Sequence, residues 1–229
     1  VSPQQGLNIP LLGLQDDSGR EEVTMAAART NTSTGAVRTL DGEQGSAAQR
    51  DRRRRILEAT LQLASKGGYE AVQMRAVAER AEVALGTLYR YFPSKIHLLV
   101  SALAAELEKI QEKIGRKPVP GDTPHERMQF VLGRVTRAMQ REPQLTEAMT
   151  RAFMFADPSA SAEVNAVAGL MEDMFTRAMH DGEPTTDDRA IARVIGDVWL
   201  SNLVAWVTRR ASANDVVNHL DLASRLLLR

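Results

Sequence analysis

The sequence contains no cysteine. That excludes disulfides, thiolate nucleophiles and zinc–thiolate centres, and it fits the reducing cytoplasm, the compartment expected here. Aromatic residues are scarce, at 4%. No apolar run reaches the roughly 20 residues that a membrane helix needs. The most apolar stretch, residues 198–207, carries Ser201 and Asn202 and runs into Arg209 and Arg210. The start lacks a basic segment followed by an apolar one, so no signal peptide is expected. Net charge is also missing, with 29 basic and 29 acidic residues among 229. The balance hides an asymmetry: residues 47–95 hold ten basic and five acidic side chains. A basic head on an acidic body points to a polyanionic partner for the head alone.

Signatures of catalysis are absent as well. His97, His125, His180 and His219 are scattered, without the spacing of metal ligands or of a His-activated nucleophile. Gly67-Gly68 is not embedded in a G-x-x-x-x-G-K-[ST] loop, and no G-x-S-x-G occurs. No enzymatic activity, metal or cofactor is expected.

What the chain does hold is helical periodicity, from residue 47 to the end. The expected fold is all-α. Residues 1–46, rich in Pro, Gly, Ser, Thr and Gln, read as a disordered extension. Residues 47–93 form a three-helix head, 94–115 a linker helix, and 116–229 a bundle of four or five longer helices. Local signals set the joints. Gly67-Gly68 stops the first helix. Ser94 caps the linker helix, Thr123-Pro124 and Pro143 open two bundle helices, and Asp157-Pro158 opens a third. Thr186-Asp187-Asp188 caps a long apolar helix, and Asn214 or Asp215 caps the last.

Within the head, two short helices joined by a tight turn at Glu82-Val83 make a helix-turn-helix, whose second short helix should enter a DNA major groove. At 100° per residue, Ala84, Leu88 and Phe92 point inward. Gly86 and Arg90 fall opposite, flanked by Thr87 and Tyr89. Gly86 lets a backbone approach DNA, and Arg90 can grip guanine or phosphate. The hydroxyls of Thr87, Tyr89 and Tyr91 can donate to phosphate oxygens, although Tyr91 lies nearer the core side. Lys95 adds charge where a helix N-terminus already favours phosphate. The "RDRRRR" run at residues 50–55 reads as a solvated face or as a phosphate grip. Beside a helix-turn-helix the grip is favoured, through Arg52, Arg53 and Arg54, and binding should then depend steeply on salt.

The stretch "QMRAVAERAEVALGTLYRYFPSKIHLL" resembles the DNA-binding signature of the TetR family of bacterial repressors, over about residues 54–99 without a gap. The resemblance implies a homodimer with two reading heads, a divergent C-terminal ligand domain, and release of DNA when ligand binds. It also implies DNA contacts from Gln73, Met74 and Arg75 at the start of the second helix and from Leu85, Gly86, Thr87, Tyr89 and Tyr91 in the third, with Lys95 on phosphate. Gln73 stands where many members have Thr or Ser. "REPQLTEAMTRAFMFADPSASAEV" and "VWLSNLVAWVTRRASANDV" resemble the actinobacterial members that control sterol catabolism. That implies a steroid coenzyme A thioester as effector.

Methionine and phenylalanine crowd the bundle. Most should be core, yet methionine suits a cavity for a bulky apolar ligand. The pocket candidates are Phe130, Met139, Met149, Phe153 and Met154, then Met171, Met174, Phe175 and Trp199. The helix carrying Trp199 and Trp206 is apolar over much of its circumference, so two surfaces must bury it. One is the core. The other is a partner chain, met by Leu203 and Trp206 together with Leu222 and Leu226 of the last helix.

The expected protein is therefore a dimeric, effector-responsive repressor of sterol or lipid catabolism genes. Three rivals stand beside it: a repressor answering to a fatty acyl-CoA or other hydrophobic ligand, an all-α lipid carrier with an incidental basic head, and a non-specific nucleoid-binding protein.

Overall fold

The structure, a computed structural model, describes residues 35–180 and 182–228, with side chains from residue 47 onward. Among these residues there are helices and no strands. The expected disordered extension lies outside the described residues as far as residue 34. Residues 35–46, which belonged to it, are helical: α1 spans Gly35–Ala71. The sequence reading looked for apolar periodicity, and this stretch has little; Ala36, Leu40, Glu43 and Gln44 are nonetheless good helix formers.

Gly67 and Gly68 leave helical geometry within α1, with φ of −145° and 64°. The positive φ at Gly68 is the left-handed conformation that glycine tolerates. The head continues with α2 (Met74–Arg80) and α3 (Leu85–Tyr91). Ile56, Val72, Val77, Leu88 and Phe92 form its core. Ala84, expected inside, is the exposed N-cap of α3. Its position one residue before the helix turns it out of the stripe shared by Leu88 and Phe92.

The linker helix α4 (Lys95–Gly115) is the axis of the molecule. Eight consecutive residues, His97 to Ala104, are buried, so α4 is packed on every side. Ser94 caps it by accepting from the His97 amide. The His97 ring continues the link: Nε2 lies 3.1 Å from the Ser159 carbonyl oxygen, and Nδ1 2.9 Å from the Ser94 hydroxyl. A carbonyl only accepts, so Nε2 carries the proton and Nδ1 accepts from Ser94.

Around α4 stand α5 (Pro124–Arg141), α6 (Pro143–Met154), a 3₁₀ turn (Pro158–Ala160), α7 (Ser161–Met179), α8 (Thr186–Val207) and α9 (Ala213–Leu227). Capping boxes open α5 from Thr123 and Glu126, α8 from Thr185 and Asp188, and α9 from Ser212 and Asp215. The last two caps lie one to three residues before the expected positions. Several Ser, Thr, Asn and Asp residues compete there, and the reciprocal bond to the residue three further on decides. Arg127 closes the end of α7, donating to the Ala178 and Met179 carbonyls at 2.9 and 2.6 Å.

Helix α8 corrects the expectation about apolar runs. Its 22 residues include an 18-residue window of mean hydropathy 1.4, long and apolar enough to cross a membrane by length and composition alone. A core helix can pass the same test. Ala192, Ile195, Trp199 and Leu203 are buried inward, and helical geometry places Val194, Val198, Ser201 and Ala205 on the opposite stripe. The apolarity thus belongs to two faces.

Candidate nucleic-acid interface and effector cavity

The turn between α2 and α3 is held from outside. Arg55 donates to the Ala81 carbonyl at 2.8 Å, and the Val83 amide donates to the Ala78 carbonyl at 3.0 Å. Glu82 adopts φ 54°, a left-handed conformation that is unusual for a side-chain-bearing residue. This places α3 with Leu85, Gly86, Tyr89 and Arg90 in solvent and Thr87 half-buried. Tyr89 is 46% exposed. A Cβ on Gly86 would meet nothing within 4 Å. Packing inside the protein therefore does not demand glycine there, which leaves a demand from outside. At the start of α2, Gln73 and Arg75 are exposed and Met74 is half-buried against the core. Gln73 makes no side-chain cap bond.

The other cations and Tyr91 are more engaged. Arg54 bonds Asp51 at 2.6 Å and Glu58 at 2.9 Å within α1. That bond to Arg54 holds the Asp51 carboxyl below its ordinary range. Arg53 lies over the Phe92 ring at 5.5 Å, and Arg52 is half-buried. Tyr91 is packed against the core with its hydroxyl buried and unpartnered among the described residues. The Lys95 ammonium lies 3.7 Å from the Tyr69 ring centroid, and the Arg151 guanidinium sits over the same ring at 4.2 Å. Burial pushes the Lys95 pKa down, reinforced by Arg151 and opposed by Glu70 and Glu147. These partners connect the head to α6.

An apolar cavity of about 290 Å³ opens among α4, α5, α6, α7 and α8. Of the sequence candidates, Met139, Met149, Phe153, Met171 and Trp199 line it. The Trp199 indole donates to Thr136 Oγ1 at 3.3 Å, which fixes the ring in the wall. Phe130, Met154, Met174 and Phe175 do not line it. Phe175 and Met174 are buried in the core, Met154 is half exposed near the end of α6, and Phe130 packs elsewhere on the core. Neighbours on one helix diverge by 100°, so a helix rich in Met and Phe divides them between cavity and core. Sequence reading missed Leu103 and Leu107 of α4, Val167 of α7 and Leu200 of α8. It also missed the charged rim, where Glu172 pairs with Arg193 at 3.5 Å beside Asp197.

The expected partner-chain face is redistributed. Leu203 lines the cavity at 5% exposure, and Trp206 is half-buried against the core. Leu222 and Leu226 are exposed one turn apart on α9. Among the described residues, no group of three His, Cys, Asp or Glu side chains gathers to hold a metal.

Comparison with known proteins agrees with this architecture. The family described as "Bacterial regulatory proteins, tetR family" matches residues 56–102, and "Tetracyclin repressor-like, C-terminal domain" matches residues 121–227. The chain is 68% identical to the HTH-type transcriptional repressor KstR of Mycolicibacterium smegmatis, over 82% of this chain and 92% of that one. It is 66% identical to the KstR of Rhodococcus jostii, over 88% and 95%. A crystal structure of a TetR transcriptional regulator from Rhodococcus sp. RHA1 superposes with a TM-score of 0.74 at 31% identity, over 79% of this chain and 97% of that one. A DNA-reading head of three short elements, an all-helical body around α4 and repressor relatives along nearly their whole length leave no enzyme or carrier reading: the chain belongs to the TetR family of bacterial regulatory proteins, as a KstR-like transcriptional repressor.

Proposed function

We propose that this repressor works in the cytoplasm as a homodimer that holds a near-palindromic operator over sterol-catabolism genes and lets go when a steroid coenzyme A thioester enters each body. The observation that carries the reading is the apolar cavity built against α4, the helix whose first turn belongs to the head. An occupant of the cavity presses on Leu103 and Leu107, and the same helix carries Lys95 and the Ser94 cap. The resemblance of residues 141–164 and 198–216 to sterol-responsive repressors supports the effector class.

On DNA, α3 lies in the major groove. Gly86 admits the backbone, Arg90 reads or grips, and Thr87 and Tyr89 donate to phosphates, with Gln73, Met74 and Arg75 at the start of α2 beside them. Two heads on a two-fold axis require half-sites about one helical turn (~34 Å) or a multiple apart. The axis runs along α8 and α9, where Val194, Leu222 and Leu226 are exposed apolar residues on a single protomer. Release needs an effector that prefers one head spacing; a thousandfold loss of DNA affinity corresponds to about 4 kcal/mol of differential binding.

The test is selection of genomic fragments by the purified protein, with and without a panel of steroid and fatty acyl-CoA thioesters. The expected result is a palindromic site at least ~10³ tighter than random DNA, released by the steroid thioester. A site released only by a fatty acyl-CoA would move the effector class, and no enriched site would overturn the reading of the head.

A further inference from the structure

A second recess lies beside the cavity, between the C-terminal half of α4 and α5. Its lining is Ile110 and Lys113 from α4 with Arg134, Arg137, Ala138 and Arg141 from α5. Four cations converge there, and no carboxylate belongs to the lining. None of the four makes an ion pair or a side-chain hydrogen bond among the described residues, whereas Arg54, Arg127, Arg151 and Arg189 are all engaged. Like charges three and four apart on one helix repel. A solvated basic face would spread them around the circumference; here they face one recess. Gln140, between Arg141 and the cavity-lining Met139, has a buried amide nitrogen with no partner among the described residues.

The recess continues the cavity. Leu103 and Leu107 wall the cavity, and Ile110 and Lys113 follow on the same stripe of α4. Leu107 and Lys113 are about 9 Å apart along the axis. Lys113 is about 27 Å along α4 from Lys95, so the recess is separate from the DNA-reading helix. A cavity of about 290 Å³ has no room for a nucleotide headgroup beside an apolar tail, so the headgroup of a thioester must lie outside it.

We infer that this recess is an anion site, and that Lys113, Arg134, Arg137 and Arg141 bind the diphosphate and phosphate monoester of the effector's coenzyme A portion while its apolar portion fills the cavity. The inference rests on the effector class proposed above. Guanidinium forks match phosphate oxygens in pairs of charge-assisted hydrogen bonds, and the Gln140 amide adds a donor. The recess thereby sorts effectors: a free steroid acid fills the cavity and leaves the four cations unmatched.

The test compares the full chain with an Arg137→Gln/Arg141→Gln variant and, separately, Lys113→Gln. These side chains are exposed, so melting curves should coincide. Calorimetric titrations use coenzyme A alone, the coenzyme A thioester of a steroid carboxylic acid, and that free acid; operator binding is followed in parallel. The expected result is at least a tenfold loss of thioester and coenzyme A affinity in the double variant, with free-acid and operator affinity unchanged. Equal thioester binding by wild type and variant overturns the site and leaves the effector class standing. Coenzyme A binding that is lost in the variant, with no added affinity from the steroid portion, supports the site and overturns the effector class. Loss of operator binding alone would assign the recess to nucleic acid and overturn the inference. Wild-type protein that binds neither coenzyme A nor thioester overturns both.

Discussion

Arg151 on α6 donates to the Glu70 carboxylate at 3.0 Å, joining the pocket-lining helix to the end of α1. The same guanidinium covers Tyr69 on one side, and Lys95 covers it too. Exposed ion pairs contribute little stability, about 0–1 kcal/mol. Arg151→Ala should therefore melt almost as wild type. Its effect should appear in communication: effector affinity within about threefold, but severalfold more effector needed to release the operator, given that couplings of 1–3 kcal/mol are typical. Fluorescence anisotropy of labelled operator, titrated with effector, reads this directly. An unchanged release curve would remove the contact from the route.

Gly86 offers a cleaner test of the head. Its Cβ position is open, and alanine is favoured over glycine within a helix by about 1 kcal/mol. Gly86→Ala should hold or raise the melting temperature while weakening operator binding at least tenfold. Tyr89→Ala should also weaken binding and leave effector affinity intact. Tight operator binding by both variants would mean that α3 does not lie in the groove as described.

Ala168 lines the cavity from a solvent-facing position on α7. Ala168→Trp should fill the space without disturbing the core. Effector affinity should drop tenfold or more, and the operator should become deaf to effector while still binding protein. Unaltered effector titrations would place the ligand elsewhere.

The partner face makes a prediction about mass. Leu226→Glu and Val194→Arg place charge where exposed apolar side chains stand. Sedimentation should shift from dimer toward monomer, and operator affinity should fall with it. A variant pair that sediments as wild type would move the interface off α8 and α9.

Stability should decline on acidification for a traceable reason. Backbone hydrogen bonds from Asp122 and Thr123 hold the Glu126 carboxyl below its ordinary value, and bonds from Ser212 do the same for Asp215. Thr185 lowers Asp188 likewise. A depressed folded-state pKa contributes stability that is fully present above the unfolded value and lost as pH falls through the folded one. The melting temperature should therefore be flat near neutrality and fall below about pH 4.5. Glu126→Gln with Asp215→Asn should flatten that fall. An equally steep fall in the double variant would show that other carboxylates dominate.

Sequence alone revealed what is decided locally. Ser94, Thr123-Pro124, Pro143 and Gly67-Gly68 mark helix ends because a cap or a left-handed turn depends on a few neighbouring residues. The reading face of α3 was legible for the same reason: seven residues at 100° fix which of them share a side. The cavity was not. Met171 lines it and Met174 does not, although both are buried and chemically identical. Leu103 and Leu107 look like linker residues until α7 and α8 stand beside them. Leu203 and Val194 were exchanged between core and outer face because an all-round apolar helix gives no sequence sign of which stripe turns inward.

The unbroken run of buried residues along the first half of α4 makes that helix a stiff arm with unequal ends. Twelve residues separate Leu107 from Lys95, about 18 Å of rise. A tilt of roughly 10° about Leu107 carries Lys95 about 3 Å sideways. In a two-fold pair the two displacements oppose each other, and the gap between heads changes by about 6 Å against a ~34 Å groove repeat. An effector that shifts side chains by less than a bond length at the cavity wall is thus geared up, by length alone, to a mismatch the operator cannot follow.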